Sequence, residues 1–130
     1  MSARVLVVED NPANLELIGD WLESEQFQVT TATTIDEACE ALKDKTPDIV
    51  LLDVQLGPED GLEVVGRIRR SSQWRTIPVI AVTAHAMMTD HERVLRAGCD
   101  ACVSKPIDFR QLRDELGKWL ARSRHAPSSV

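Results

Sequence analysis

Tyrosine is absent from this chain, and aromatic residues as a class make up only 4% of its 130 residues. The tryptophans, Trp21, Trp74 and Trp119, are too dispersed to form a stacking platform for nucleic-acid bases. Cysteine is scarce and odd in number, at three. That excludes a disulfide framework and points to a reducing, cytoplasmic setting. No apolar run approaches the roughly 18 residues of a membrane span, and no signal-peptide pattern opens the chain, so membrane insertion is not expected. Positive charge is nearly missing from the first half: residues 1–65 hold 3 bases against 15 acids, whereas residues 66–130 hold 12 against 6. What remains is an ordinary globular composition, 43% hydrophobic and 28% charged, on a length that suits one domain.

Four short apolar runs stand out, at residues 5–8, 49–52, 79–82 and, more weakly, 101–103. Runs of this length suit strands covered on both faces. Residues 27–31 alternate apolar with polar and suit an edge strand. Helical patterns lie between them. Asn11 is placed as the N-cap of the first helix and Pro12 as its first residue, with Leu15, Ile18 and Leu22 on one face. Thr34-Ile35-Asp36-Glu37 reads as a capping box that opens the second, which carries Ala38 and Leu42 inward. The third opens at Asp60-Gly61 and carries Leu62, Val65 and Ile68. A second capping-box match, Thr89-Asp90-His91-Glu92, is expected to open the fourth, and Gly98 to stop it. The fifth begins at Asp108, with Leu112, Leu116, Trp119 and Leu120 on one stripe, and residues 124–130 read as a short flexible tail. Strands alternating with helices imply an α/β fold: a flavodoxin-like, doubly wound, five-stranded parallel sheet in the order 2-1-3-4-5 with five helices.

Ligands of such sheets bind beyond the carboxyl ends of the strands. The first apolar run is followed there by Glu9 and Asp10, the third strand by Asp53, the fourth by Thr83 and the fifth by Lys105-Pro106. Taken singly, each has a bland explanation as a helix cap, a turn residue or a solvated cation. Jointly they place three acids, a lysine and a hydroxyl at one sheet edge. Two like charges about 4 Å apart repel by roughly 4 kcal/mol at an effective dielectric of 20. A raised pKa would relieve that repulsion, and so would a divalent cation, for which all-oxygen ligands favour Mg2+. Carboxylates are known covalent nucleophiles toward phosphorus, so the set reads as a phosphoryl-transfer site.

These residues carry a resemblance. Val7-Val8-Glu9-Asp10-Asn11, Leu51-Leu52-Asp53, Gly61 eight residues further on, Val82-Thr83-Ala84 and Ser104-Lys105-Pro106 closely resemble, in order, the receiver domain of bacterial two-component response regulators. The resemblance implies a receiver domain over residues 1–123. It implies Asp53 as phosphoacceptor, and a histidine kinase or histidine phosphotransfer protein as donor. Glu9 and Asp10, with Asp53 and the Gln55 backbone carbonyl, would hold Mg2+. Thr83 and Lys105 would each bind a phosphoryl oxygen, and the peptide before Pro106 would be cis. Gln55 and His85 stand where phosphoryl lifetime is tuned. Such a protein is no enzyme with turnover; it catalyses its own phosphorylation and slow dephosphorylation. Helix 4, strand 5 and helix 5 would form a face for a downstream protein effector. Two departures bear on this: Cys102 stands at the usual aromatic switch position, and Pro58 displaces the usual Met-Pro after the phosphoacceptor.

Other readings are weaker. A receiver excised from a hybrid histidine kinase is a close variant, against which the Met1 start argues. A haloacid-dehalogenase-type phosphatase would need an acid where Gln55 stands, and a cap. A flavodoxin-like electron carrier would need a phosphate-cradling loop after the first strand, where Glu9-Asp10 would repel it. Cys99-x-x-Cys102 runs into a strand rather than out of one, which speaks against redox or metal chemistry. The basic last helix (Arg110, Arg113, Lys118, Arg122, Arg124) lacks a base-reading element, so DNA binding is not expected.

Overall fold

The computed structural model describes residues 3–84 and 88–128. In chain order the elements are β1 (Arg4–Val8), α1 (Pro12–Ser24), β2 (Gln28–Ala32), α2 (Ile35–Asp44), β3 (Ile49–Asp53), β4 (Gln55–Leu56), β5 (Glu59–Asp60), α3 (Leu62–Arg70), β6 (Val79–Thr83), α4 (Met88–Arg96), β7 (Ala101–Ser104) and α5 (Phe109–Ser128). Five strands pair in parallel in the order β2-β1-β3-β6-β7. With the two short strands β4 and β5 set apart, this is the flavodoxin-like order expected. Among the described residues no helix is long and apolar enough to cross a membrane.

Period-two alternation divides the core between the sheet's two faces. Val5, Val7, Ile49, Leu51, Ile80, Val82 and Val103 pack with Ile18 and Leu22 of α1 and Leu112, Leu116 and Leu120 of α5. Leu6, Val8, Val50, Leu52, Val79 and Ala81 pack with α2, α3 and Val94 of α4 on the other side. β3 and β6 are buried along their whole length, which is why they read as unbroken apolar runs.

The helix starts follow local chemistry, with differences. The Asn11 side chain accepts from Asn14 N–H at 3.1 Å, and Pro12 follows it, as expected. At α2, Thr34 caps Glu37 N–H at 3.1 Å. The reciprocal half of the box reaches one residue further back: the Glu37 carboxylate accepts from Thr33 N–H and Oγ1–H, both at 2.7 Å. The capping box expected at Thr89 is corrected. α4 has already begun at Met88, so Thr89 has helical backbone, whereas an N-cap does not. At the other end Gly98 takes φ 116°. Gly98 N–H bonds Leu95 C=O and Cys99 N–H bonds Val94 C=O, which closes the helix in the Schellman manner. Helical backbone in α5 continues past residue 124, where the sequence suggests a tail.

Opposite the strands' carboxyl ends, Arg69 ties the structure shut. It donates to Gly98 C=O (2.9 Å), Arg75 C=O (2.9 Å) and Ile77 C=O (2.6 Å), and pairs with Asp100 at 2.9 Å. The same Asp100 carboxylate accepts from Val79 N–H at 2.8 Å, so Arg69 and Asp100 together close the amino-terminal edge of β6.

Candidate functional site

Register brings the site together. Val8 pairs with Leu52, Asp53 with Val82, and Thr83 with Ser104. Glu9, Asp53, Thr83 and Lys105 therefore lie at nearly one level, at the ends of four adjacent strands. Glu9, Asp53 and Thr83 are the described polar or charged side chains that the fold buries, at 2%, 6% and 4% exposure. Asp10 is exposed at the rim. One carboxylate oxygen from each of Glu9, Asp10 and Asp53 lies within 4.8 Å of the others.

Each buried oxygen has a partner, as burial demands. Lys105 Nζ donates to Asp53 Oδ2 at 2.9 Å and to Glu9 Oε1 at 3.3 Å. Asp53 Oδ1 accepts from Gln55 N–H at 3.0 Å, and Glu9 Oε2 from Asn11 N–H at 3.1 Å. The start of α1 also presents its positive dipole end to these acids. Burial, with the neighbouring Asp53 carboxylate, pushes the Glu9 carboxyl up from 4.5 to about 7. Burial works against the Lys105 ammonium, but the bond and charge of Asp53 and the charge of Glu9 outweigh it and hold its pKa above the ordinary value.

Glu9, Asp10, Asp53, Gln55 and Lys105, with Asn11, Asn14 and Gly57, line one cleft of about 490 Å3. Thr83 lines an adjoining cavity of about 450 Å3 with Gln55, the segment at 57–60, and Arg93 and Val94 of α4. The Lys105-Pro106 peptide is cis. Cys102 is half-buried and packs against the core cluster that α2, α3 and Val94 of α4 share. Burial lifts the Cys99 thiol to about 12, so it holds its proton and is a packing residue. His85 lies outside the described residues.

The segment after Asp53 holds what sequence reading missed. Displaced Pro58 sits with Gly57 in the two-residue turn of an antiparallel hairpin, β4–β5. Gly57 takes φ 58°, and a Cβ there would stand 3.3 Å from Asp10 Oδ2. The Gly-Pro pair signals a turn, but only the fold shows that its tip abuts Asp10. Gly61 has the ordinary helical φ of −59°. Its need is space: a Cβ would overlap the Asp53 carbonyl oxygen and stand 2.9 Å from that of Val54.

Comparison with known proteins identifies the family. Residues 5–117 match the family model of the response regulator receiver domain. The chain is 37% identical over 120 residues to the polar-differentiation response regulator DivK of Brucella ovis, covering 92% of this chain and 98% of that one. It resembles the receiver domain of sensor histidine kinase PA1611 from Pseudomonas aeruginosa, solved with a magnesium ion in the active-site cleft. The TM-score is 0.85, with 31% identity over 93% of this chain and 99% of that one. It also superposes on NtrX from Brucella abortus with TM-score 0.89 and 27% identity, covering 99% of this chain and 29% of NtrX. The family model runs from β1 into α5, and the chain belongs to the response regulator receiver domains, the receiving modules of phosphorelay signalling.

Proposed function

We propose that Asp53 accepts a phosphoryl group from a phosphohistidine of a histidine kinase or phosphotransfer protein. The observation that carries this is the Lys105 ammonium shared between Asp53 and Glu9, with the third carboxylate, Asp10, alongside. A carboxylate oxygen of Asp53 attacks phosphorus. A P–O bond forms, the P–N bond breaks, and the imidazole nitrogen leaves with the bonding pair and takes up a proton. Lys105 stands beside the acceptor to bind a phosphoryl oxygen, and Thr83, the last residue of β6, binds another. Gln55 N–H holds the acceptor carboxylate in place. The adduct is slowly hydrolysed at the same site, so the protein acts as a timed carrier rather than an enzyme with turnover.

Three carboxylates against one ammonium leave the cleft with excess negative charge. The donors are all oxygen, which fits Mg2+ held by Glu9, Asp10, Asp53 and the Gln55 carbonyl. When bound, Mg2+ would supply positive charge that offsets the negative charge of the phosphoryl group. A pH test follows. A carboxyl raised to about 7 binds its proton more tightly folded than unfolded. Metal-free stability from Glu9 is therefore full below about 4.5 and lost as pH rises through 7. Mg2+ needs the ionised form. Mg2+ is thus expected to raise the melting temperature more at pH 7.5 than at pH 5.5; equal shifts at both would refute this role for Glu9.

The donor protein must cover the cleft's edge. Asn14 and Lys105 line both the carboxylate cleft and a groove of about 400 Å3 with Leu17, Ile18, Pro106, Ile107 and Phe109. Leu17 is 57% exposed there. Leu17→Glu is expected to slow transfer from a phosphorylated protein donor by about tenfold or more while leaving uptake from acetyl phosphate intact. Timed mass spectrometry with each donor measures both rates. Output is through protein contact at α4, β7 and α5, where Leu95 is 51% exposed. Incubation with acetyl phosphate and Mg2+ tests the main reading: the chain should gain one phosphoryl mass, mapped to the peptide holding Asp53. No gain, or a gain elsewhere, overturns it.

A further inference from the structure

Receiver-like switching through an aromatic at position 102 is not open to this chain, because that position is Cys102. The structure offers another connection from Asp53 to α4, with a contact at each step. Gln55 N–H, at the start of the β4–β5 hairpin, donates to Asp53 Oδ1 at 3.0 Å. The hairpin's turn places Gly57 against Asp10. At its far end Asp60 uses both oxygens. Oδ1 accepts from Leu62 N–H at 3.0 Å and holds the start of α3, while Oδ2 pairs with Arg93 of α4 at 2.9 Å. Beside it, Glu59 accepts from Ile35 N–H of α2 at 3.2 Å. Six residues thus touch the acceptor carboxylate, the cleft rim and three helices. Arg93 and Asp60 also wall the cavity that holds Thr83 and Gln55.

We propose that the hairpin at residues 55–60, closed onto α4 by the Asp60–Arg93 ion pair, carries the state of Asp53 to the α4 face. The inference rests on Asp53 as the phosphoacceptor. Phosphorylation changes the carboxylate that Gln55 N–H holds and adds negative charge beside the Thr83 cavity. The hairpin start must readjust, and two residues of antiparallel pairing with a two-residue turn transmit that change to Asp60. Both partners of the Asp60–Arg93 pair are about half exposed. Such a pair biases an equilibrium by a factor of about two to five, which suits a reversible coupler better than a permanent clamp.

The test uses the full chain with acetyl phosphate and Mg2+, comparing wild type, Arg93→Gln, Arg93→Lys and Asp60→Asn. Asp60→Asn keeps an oxygen to cap Leu62 N–H, so α3 is spared. Mass spectrometry reads uptake at Asp53, and hydrogen exchange reads protection of residues 91–96 with and without the phosphodonor. Expected are uptake within about twofold of wild type in all variants, and a phosphorylation-dependent change in α4 reduced about two- to fivefold in Arg93→Gln and Asp60→Asn. Arg93→Lys should recover most of it. An undiminished α4 response in Arg93→Gln and Asp60→Asn, with normal uptake, overturns the coupling route and leaves the phosphoacceptor reading standing. Failure of wild type to take up the phosphoryl group at Asp53 overturns both.

Discussion

Asp53→Asn is expected to take up no phosphoryl group from acetyl phosphate and Mg2+ under conditions in which the wild type does. The amide oxygen is a poor nucleophile, and losing the attacking group costs on the order of 10^4-fold or more. The substitution is otherwise mild. An amide oxygen can still accept from Gln55 N–H, now made at 3.0 Å. Lys105 loses its 2.9 Å bond to Asp53 but keeps Glu9 at 3.3 Å. The Asp53 carboxylate is itself one reason Glu9 holds its proton, after burial. Removing it lowers the Glu9 pKa and strengthens the pair that Glu9 already makes with Lys105. The melting temperature should therefore hold or rise while uptake vanishes. Intact-mass spectra and thermal melts of the two proteins check both halves. A variant that still gains one phosphoryl mass would show that another side chain is the acceptor.

Gly61→Ala is expected to lower stability by about 3 kcal/mol, in the upper range of overpacking costs, and the melting temperature by about 10 °C. Propensity argues the other way, since alanine is favoured over glycine in a helix by about 1 kcal/mol. The backbone at Gly61 is already helical, so no left-handed conformation protects the glycine. Packing decides. The new methyl would meet the carbonyl oxygens of Asp53 and Val54, and Gly61 N–H holds the Val54 carbonyl at 2.7 Å. No flexible side-chain end can give way there, only the main chain that carries the phosphoacceptor. Uptake from acetyl phosphate should fall together with stability. A melting temperature within about 2 °C of wild type would mean that this backbone yields at little cost.

The residues themselves show why the fold was legible. β3 and β6 are buried on both faces and so appear as uninterrupted apolar runs, and Asn11-Pro12 and Gly98 mark helix ends by local chemistry. The polar group at the sheet edge was legible because a parallel sheet sends every strand's carboxyl end the same way. The hairpin was not. Gln55-Leu56 and Glu59-Asp60 are too short for any periodicity, and their pairing depends on the turn between them. Thr89 misled because a capping box is a local pattern that a helix begun one residue earlier overrides. The Asp60–Arg93 and Arg69–Asp100 pairs join residues more than 30 positions apart, and nothing in either neighbourhood announces its partner.

The sequence by itself determined the α/β order, the two-faced core and the set of acids, lysine and threonine at strand ends, because these follow from spacing along one chain. It also showed the split of charge between its halves. Only the tertiary structure brought acids of the first half against cations of the second, Glu9 and Asp53 onto Lys105 and Asp60 onto Arg93. It alone decided which acids are buried, which oxygens Lys105 holds, and why position 61 has no room for a methyl group. Those properties depend on distances between segments far apart in sequence, and such distances exist only once the chain has closed on itself.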